Sequence, residues 1–167
     1  KTAEGEKVEL TVCKKKKKNL LIQIFFASNN LNWIQETLDD LTKRYPNGVI
    51  VGASSFEAIH KGLVLNSCAT VSATVFEDTV VMGRYEESFE DSFYIGQNVA
   101  KKLCLENTKA IIAFTDASSI NGEEFLNGLS SASPKKTVVA GGLASTPTFA
   151  DTFVAFQNKI IKNGVVA

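Results

Sequence analysis

Two short stretches constrain the fold of this chain more than any other part of it: VIVGASS at residues 49–55 and VVAGGLAS at 138–145. Each is an apolar run that breaks into glycine and then small residues, the pattern of a buried strand ending in a turn. Each also follows the same kind of prelude. NLLIQIFF at 19–26 and KAIIAFTDAS at 109–118 are nearly continuous apolar runs that end in short polar side chains, and each leads into a helical pattern. The two series are offset by roughly ninety residues, so an internally repeated unit is the first expectation.

Between the first pair of strands, Leu31, Ile34, Leu38, Leu41 and Tyr45 recur at helical spacing while Glu36, Asp39, Asp40 and Lys43 fall elsewhere. Pro46-Asn47-Gly48 stops that helix. Residues 56–66 read as irregular. The segment 69–76 alternates apolar and polar, and 77–78 reads as a hairpin turn with a returning strand at 79–82. A helix is expected over 93–105, with Ile95, Val99 and Leu103 at steps of four. In the second series, 121–130 reads as a short helix with Phe125, Leu126 and Leu129 inward, closed by Pro134. A last hairpin is expected from 152–156 and 159–166 around Gln157-Asn158. Ahead of all this, residues 8–12 alternate like a half-buried strand, and the five lysines at 14–18 read as a solvated hinge, since adjacent like charges cannot all pair.

The pattern predicts an α/β fold of mixed sheets, built on an internally duplicated strand-helix-strand-hairpin unit with halves at about 19–86 and 109–167. Hairpins require antiparallel pairing, so the sheets cannot be purely parallel. Two sheets facing each other with the helices packed outside is the expected arrangement, and a Rossmann-like sheet is the alternative. Residues 1–167 read as one domain. The start at Lys1 and the stop at Val165-Val166-Ala167, inside a strand pattern, suggest a piece of a longer protein.

Eighteen basic and 18 acidic residues give no net charge, which removes any general attraction to a phosphate backbone and argues against nucleic acid as a partner. Cys13, Cys68 and Cys104 are odd in number and far apart, so neither a disulfide framework nor a zinc site is indicated and a reducing cytoplasm is the simpler compartment. No apolar run has the length to span a bilayer. No cofactor or metal is expected.

Candidate site residues gather at the two turns. Gly52, Gly141 and Gly142 let a turn present bare N–H groups to a ligand, and Ser54 and Ser55 add hydroxyls. Asp116, at the end of the second buried run, can pair with a ligand amine or cap the following helix. Ser118-Ser119 can bond a ligand or satisfy loop groups, and Trp33 and Phe56 can line a pocket or fill the core. A serine nucleophile would need a base, and the only histidine is His60. The residues Gly52-Ala53-Ser54-Ser55-Phe56 do not make a GxSxG elbow, so catalysis is the weaker reading.

These motifs together resemble the N-terminal part of FIST domains. The resemblance rests on Gly52-Ala53-Ser54-Ser55 with Ile59, on the run 110–116, on Gly141-Gly142-Leu143-Ala144 and on Gly164-Val165-Val166-Ala167. One departure is that Phe56-Glu57-Ala58-Ile59 stands where the family often has Gly-Glu-Ile. The resemblance implies a cytoplasmic sensory module that binds small molecules, with amino acids or their derivatives a suggested class. It further implies a C-terminal FIST part and a signalling output module as partners in the full-length protein. A protein-interaction scaffold is the second reading, and a serine-dependent hydrolase the third.

Overall fold

The computed structural model describes residues 19–60, 62–87, 91–148 and 150–167, with the side chain of His60 left out. The strand expected at 8–12 and the lysine run lie outside the described residues.

Strand β1 (Leu20–Ala27) is buried along almost its whole length, as its unbroken apolar sequence requires. Asn30 then caps helix α1 (Leu31–Arg44), its side chain accepting from the backbone N–H of Trp33. The helix buries Ile34, Leu38 and Leu41, the inward stripe of the periodic pattern. β2 (Val49–Ser54) returns parallel to β1, with Ile24 opposite Gly52. Residues 56–66 are more ordered than their composition suggests, because β3 (Ala58–His60) and β4 (Leu63–Leu65) form a small antiparallel hairpin. β5 (Cys68–Val75) then pairs antiparallel with β1.

The returning strand expected at 79–82 does not form. Val80 points to solvent, 77% exposed, while Val81 packs between the sheets, and residues 79–83 run without ladder pairing until Arg84 exchanges backbone hydrogen bonds with Ala167 at the start of β6 (Tyr85–Glu87). That path carries the chain from one sheet to the other, so a hairpin back along β5 would lead it the wrong way.

In the second series, helix α2 (Ser92–Leu103) precedes β7 (Ala110–Thr115), helix α3 (Gly122–Ala132) and β8 (Val138–Leu143). β7 and β8 pair in parallel, as β1 and β2 do. Leu126, expected inward, is 47% exposed; the buried face of α3 is Phe125, Gly128 and Leu129, one step round the helix. The final hairpin joins β9 (Val154–Phe156) to β10 (Lys159–Ile161), but the run 159–166 is not one strand. It breaks at Asn163, which has a φ of 54°, and continues as β11 (Gly164–Val166) in the other sheet.

Besides the β3–β4 hairpin, the described strands form two mixed sheets. The first has the order β10-β9-β2-β1-β5 and the second β6-β11-β7-β8. A Rossmann-like sheet is excluded, since each sheet combines one parallel pair with antiparallel neighbours. Nor do the sheets divide along 19–86 and 109–167: β9 and β10 join β2, and β6 joins β11.

Three cores set the layers. Leu20, Ile22, Ile24 and Phe26 pack against Ile34, Leu38 and Leu41 of α1. Ile111, Ala113 and Val165 pack against Ile95, Val99, Phe125 and Leu129 of α2 and α3. Between the sheets lie Leu21, Val51, Ala53, Phe114, Val154, Ile161 and Val166, with no helical residue among them. The two sheets therefore face each other and the helices cover the outer faces.

The outer pair of helices touches through glycine. A Cβ on Gly128 would sit 1.9 Å from the carbonyl oxygen of Phe93, and one on Gly96 would sit 2.2 Å from that of Phe125. Backbone-to-backbone packing of this kind has no side chain that can yield. Gly128→Ala is expected to lower the unfolding free energy by about 2 kcal/mol or more, measured by urea denaturation.

Candidate functional site

The parallel pairs β1–β2 and β7–β8 end at the same side of the sandwich, and a cavity of about 330 Å³ opens between their C-terminal ends. It is lined by Phe25, Ala53, Ser54 and Ser55 from the first sheet and by Phe114, Gly141, Gly142, Leu143 and Ser145 from the second. The rings of Phe25 and Phe114 meet edge to face at 5.2 Å, joining the sheets at the cavity wall. Polar contacts then fix the width of the gap. The N–H of Ser145 donates to the carbonyl of Ser54 at 3.0 Å, and the N–H of Phe56 donates to Ser145 Oγ at 3.0 Å.

Of the residues singled out in the sequence, Ser54, Ser55, Gly141 and Gly142 come together here. Ser54 is 3% exposed, and its Oγ accepts from the N–H of Phe153. Ser55 Oγ donates to the carbonyl of Glu57 at 2.7 Å. The two glycines of the second turn differ sharply. Gly141 has a φ of 140°, and a Cβ on it would lie 1.7 Å from the carbonyl oxygen of Ala113. A Cβ on Gly142 would meet nothing within 4 Å. One glycine is demanded by the backbone, and the other leaves open space opposite Phe114, its register partner.

Gly52 and Asp116 do not line the cavity. Gly52 faces the helix side, where a Cβ would lie 2.6 Å from the carbonyl oxygen of Ile24. Asp116 is only 1% exposed, and its carboxylate is fully engaged by the protein. It accepts from Ser118 N at 3.0 Å, Ser118 Oγ at 2.9 Å, Ser119 Oγ at 3.4 Å and Asn163 N at 2.7 Å, and from the hydroxyl of Thr152. Trp33 packs edge to face on Phe26 beneath α1, and Phe56 is half exposed beside the turn. Phe25, Phe114, Leu143 and Ser145 line the cavity without having been singled out as site residues. The phenylalanines read in the sequence as ordinary strand core, and only their place at the strand ends distinguishes them.

A family model, the FIST N domain, matches residues 21–167. The chain belongs to the FIST N domain family. FIST N domains are sensory domains of signalling proteins rather than a known enzyme family. Comparison with curated proteins and with solved structures gave no match. No helix among the described residues of this FIST N domain is long and apolar enough to cross a membrane, and those residues hold no cluster of metal-ligating side chains.

Burial alone would push the Asp116 carboxyl up, but the hydrogen bonds from Thr152, Ser118 and Asn163 outweigh it and hold the group below the ordinary carboxylate range. A depressed folded-state value means that this contribution to stability is fully present above the unfolded carboxyl pKa of about 3.9. It is lost as pH falls through the lower folded value. Asp116→Asn is expected to cost roughly 2–3 kcal/mol at neutral pH, because buried donors lose their anionic acceptor. Denaturant unfolding of both proteins from about pH 7 to pH 3 checks this, with the gap between them shrinking only at the acid end.

Proposed function

We propose that this FIST N domain is a ligand-sensing input module of a signalling protein, and that it binds a small molecule in the cavity between the two sheets. The observation that carries this reading is where the cavity lies. Ligands of α/β proteins collect outside the carboxyl ends of strands, where connections diverge, and here two parallel pairs end on one cavity. Its volume of about 330 Å³ suits a compact metabolite. Ser54, Ser55, Gly141 and Gly142 are the proposed contacts, with Phe25 and Phe114 as the apolar wall. Gly52 and Asp116 support the site from outside it, by letting β2 approach β1 and by tying the loops.

The family resemblance favours amino acids or their derivatives as ligands. It also favours a cytoplasmic setting, a C-terminal FIST part and a signalling output module in the full-length protein. Binding without catalysis fits the chemistry of the lining: Ser54 Oγ already accepts a backbone N–H, and none of the described lining side chains is an acid or base. One observation favours the scaffold reading as a second possibility. The β3–β4 hairpin exposes Ile59, Leu63 and Val64, and an apolar patch of this kind is a typical docking feature.

Gly142→Val separates the two readings, because it puts a side chain into the cavity at a position where a Cβ meets nothing within 4 Å. A small molecule at about 100 times its Kd stabilises the native state by about 2.7 kcal/mol. A thermal-shift screen of amino acids and their derivatives is expected to give stabilising compounds that lose their effect on Gly142→Val. Shifts that persist in the variant would place binding elsewhere.

A further inference from the structure

The cavity takes a particular kind of polarity. Its nine described lining residues include four phenyl or aliphatic side chains, two glycines and three serines, with no charged group among them. The nearest buried carboxylate, Asp116, is spent on Thr152, Ser118, Ser119 and Asn163. A zwitterionic amino acid brought here would leave both an ammonium and a carboxylate without a counter-charge, in a site walled by Phe25 and Phe114.

The same wall carries backbone groups with no partner among the described residues. Among those residues β8 is the last strand of its sheet. The bonds from Val138 N to Lys109 O at 2.9 Å and from Ala144 N to Thr115 O at 2.7 Å fix which of its amides face β7. By the alternation of a parallel ladder, Gly141 and Leu143 turn both N–H and C=O toward the free edge, beside the cavity they line. Such an edge offers donors and acceptors in turn. A carboxylate can use only the donors and an ammonium only the acceptors, whereas an amide uses both. The serines add to this match. Ser54 and Ser145 each accept one backbone N–H, from Phe153 and Phe56, which leaves their O–H hydrogens free to donate to a carbonyl.

Resting on the reading of this cavity as the ligand site, we propose that its ligand is an uncharged amide of dipeptide size, with its amide groups paired to the β8 edge at Gly141 and Leu143 and an apolar side chain against Phe25 and Phe114. N-acylated amino-acid amides and cyclic dipeptides belong to this class; free amino acids do not.

Calorimetric titration of the full chain tests this with three probes: N-acetyl-leucine N-methylamide, free leucine, and the same diamide methylated on both amide nitrogens. The diamide is expected to bind roughly tenfold or more tightly than leucine, and the N-methylated form to lose roughly tenfold or more. Gly142→Val is expected to abolish diamide binding and Gly142→Ala to weaken it, with the unfolding temperature of both variants checked against the parent. Leucine binding as tightly as the diamide, with loss in Gly142→Val, overturns the amide assignment and leaves the cavity reading standing. Diamide binding that survives Gly142→Val, or no diamide binding, also overturns the assignment. The cavity reading itself falls only if no compound from the wider screen is sensitive to Gly142→Val.

Discussion

A single buried carboxylate holds the cavity end of this molecule in place. Asp116 follows β7, and its oxygens collect the hydroxyl of Thr152 ahead of β9, the N–H of Asn163 ahead of β11 and the Ser118 and Ser119 groups of its own loop. Removing a carboxylate from water is costly, and only a full set of donors offsets that cost. The donors come from three loops distant in sequence, so the carboxylate is satisfied only when all three are in register. Its own N–H also donates to the Gly164 carbonyl at 2.9 Å, which fixes the start of β11.

What those loops position is a chain crossing. β9 and β10 extend the first sheet beyond β2, and β11 then inserts between β6 and β7 in the second. The left-handed residue Asn163 makes the turn between sheets possible. Val154 and Ile161 fill the inter-sheet core from one sheet and Val166 from the other, so the crossing segment also glues the two faces together. The cavity is the place where this packing stops. Past Ala53 and Phe114 the strands end, glycine replaces side chains on β8, and the two sheets are held apart by the Ser54–Ser145–Phe56 hydrogen bonds.

The order of elements was legible in the sequence, and so was their type where periodicity is strong. The runs that became β1, α1, β2, β7 and β8 each carry one dominant pattern: unbroken apolar residues, a helical stripe, or an apolar run closed by glycine. The misreadings fall where the pattern is short. Residues 79–82 look like a strand because Val80, Val81 and Met82 are apolar, yet a crossing between sheets needs the same composition with no ladder partner. Leu126 and Phe125 are adjacent, and one step of helical phase decides which is buried. For Asp116 the sequence leaves open both a ligand contact and, by base rate the more common, a helix cap, because a carboxylate at a strand end carries no mark of which donors will reach it.

By itself, then, the sequence determined the local elements, the mixed character of the sheets and the two glycine turns, because those follow from side-chain period and backbone freedom within a dozen residues. Only the tertiary structure decided which strands share a sheet, that Gly142 borders empty space while Gly141 and Gly52 abut backbone, and that Asp116 serves the fold. These depend on contacts across more than thirty residues of chain, between Asp116 and Thr152 or between Ser54 and Ser145. Such pairings are set by how two sheets close on a common core, and no local pattern records that.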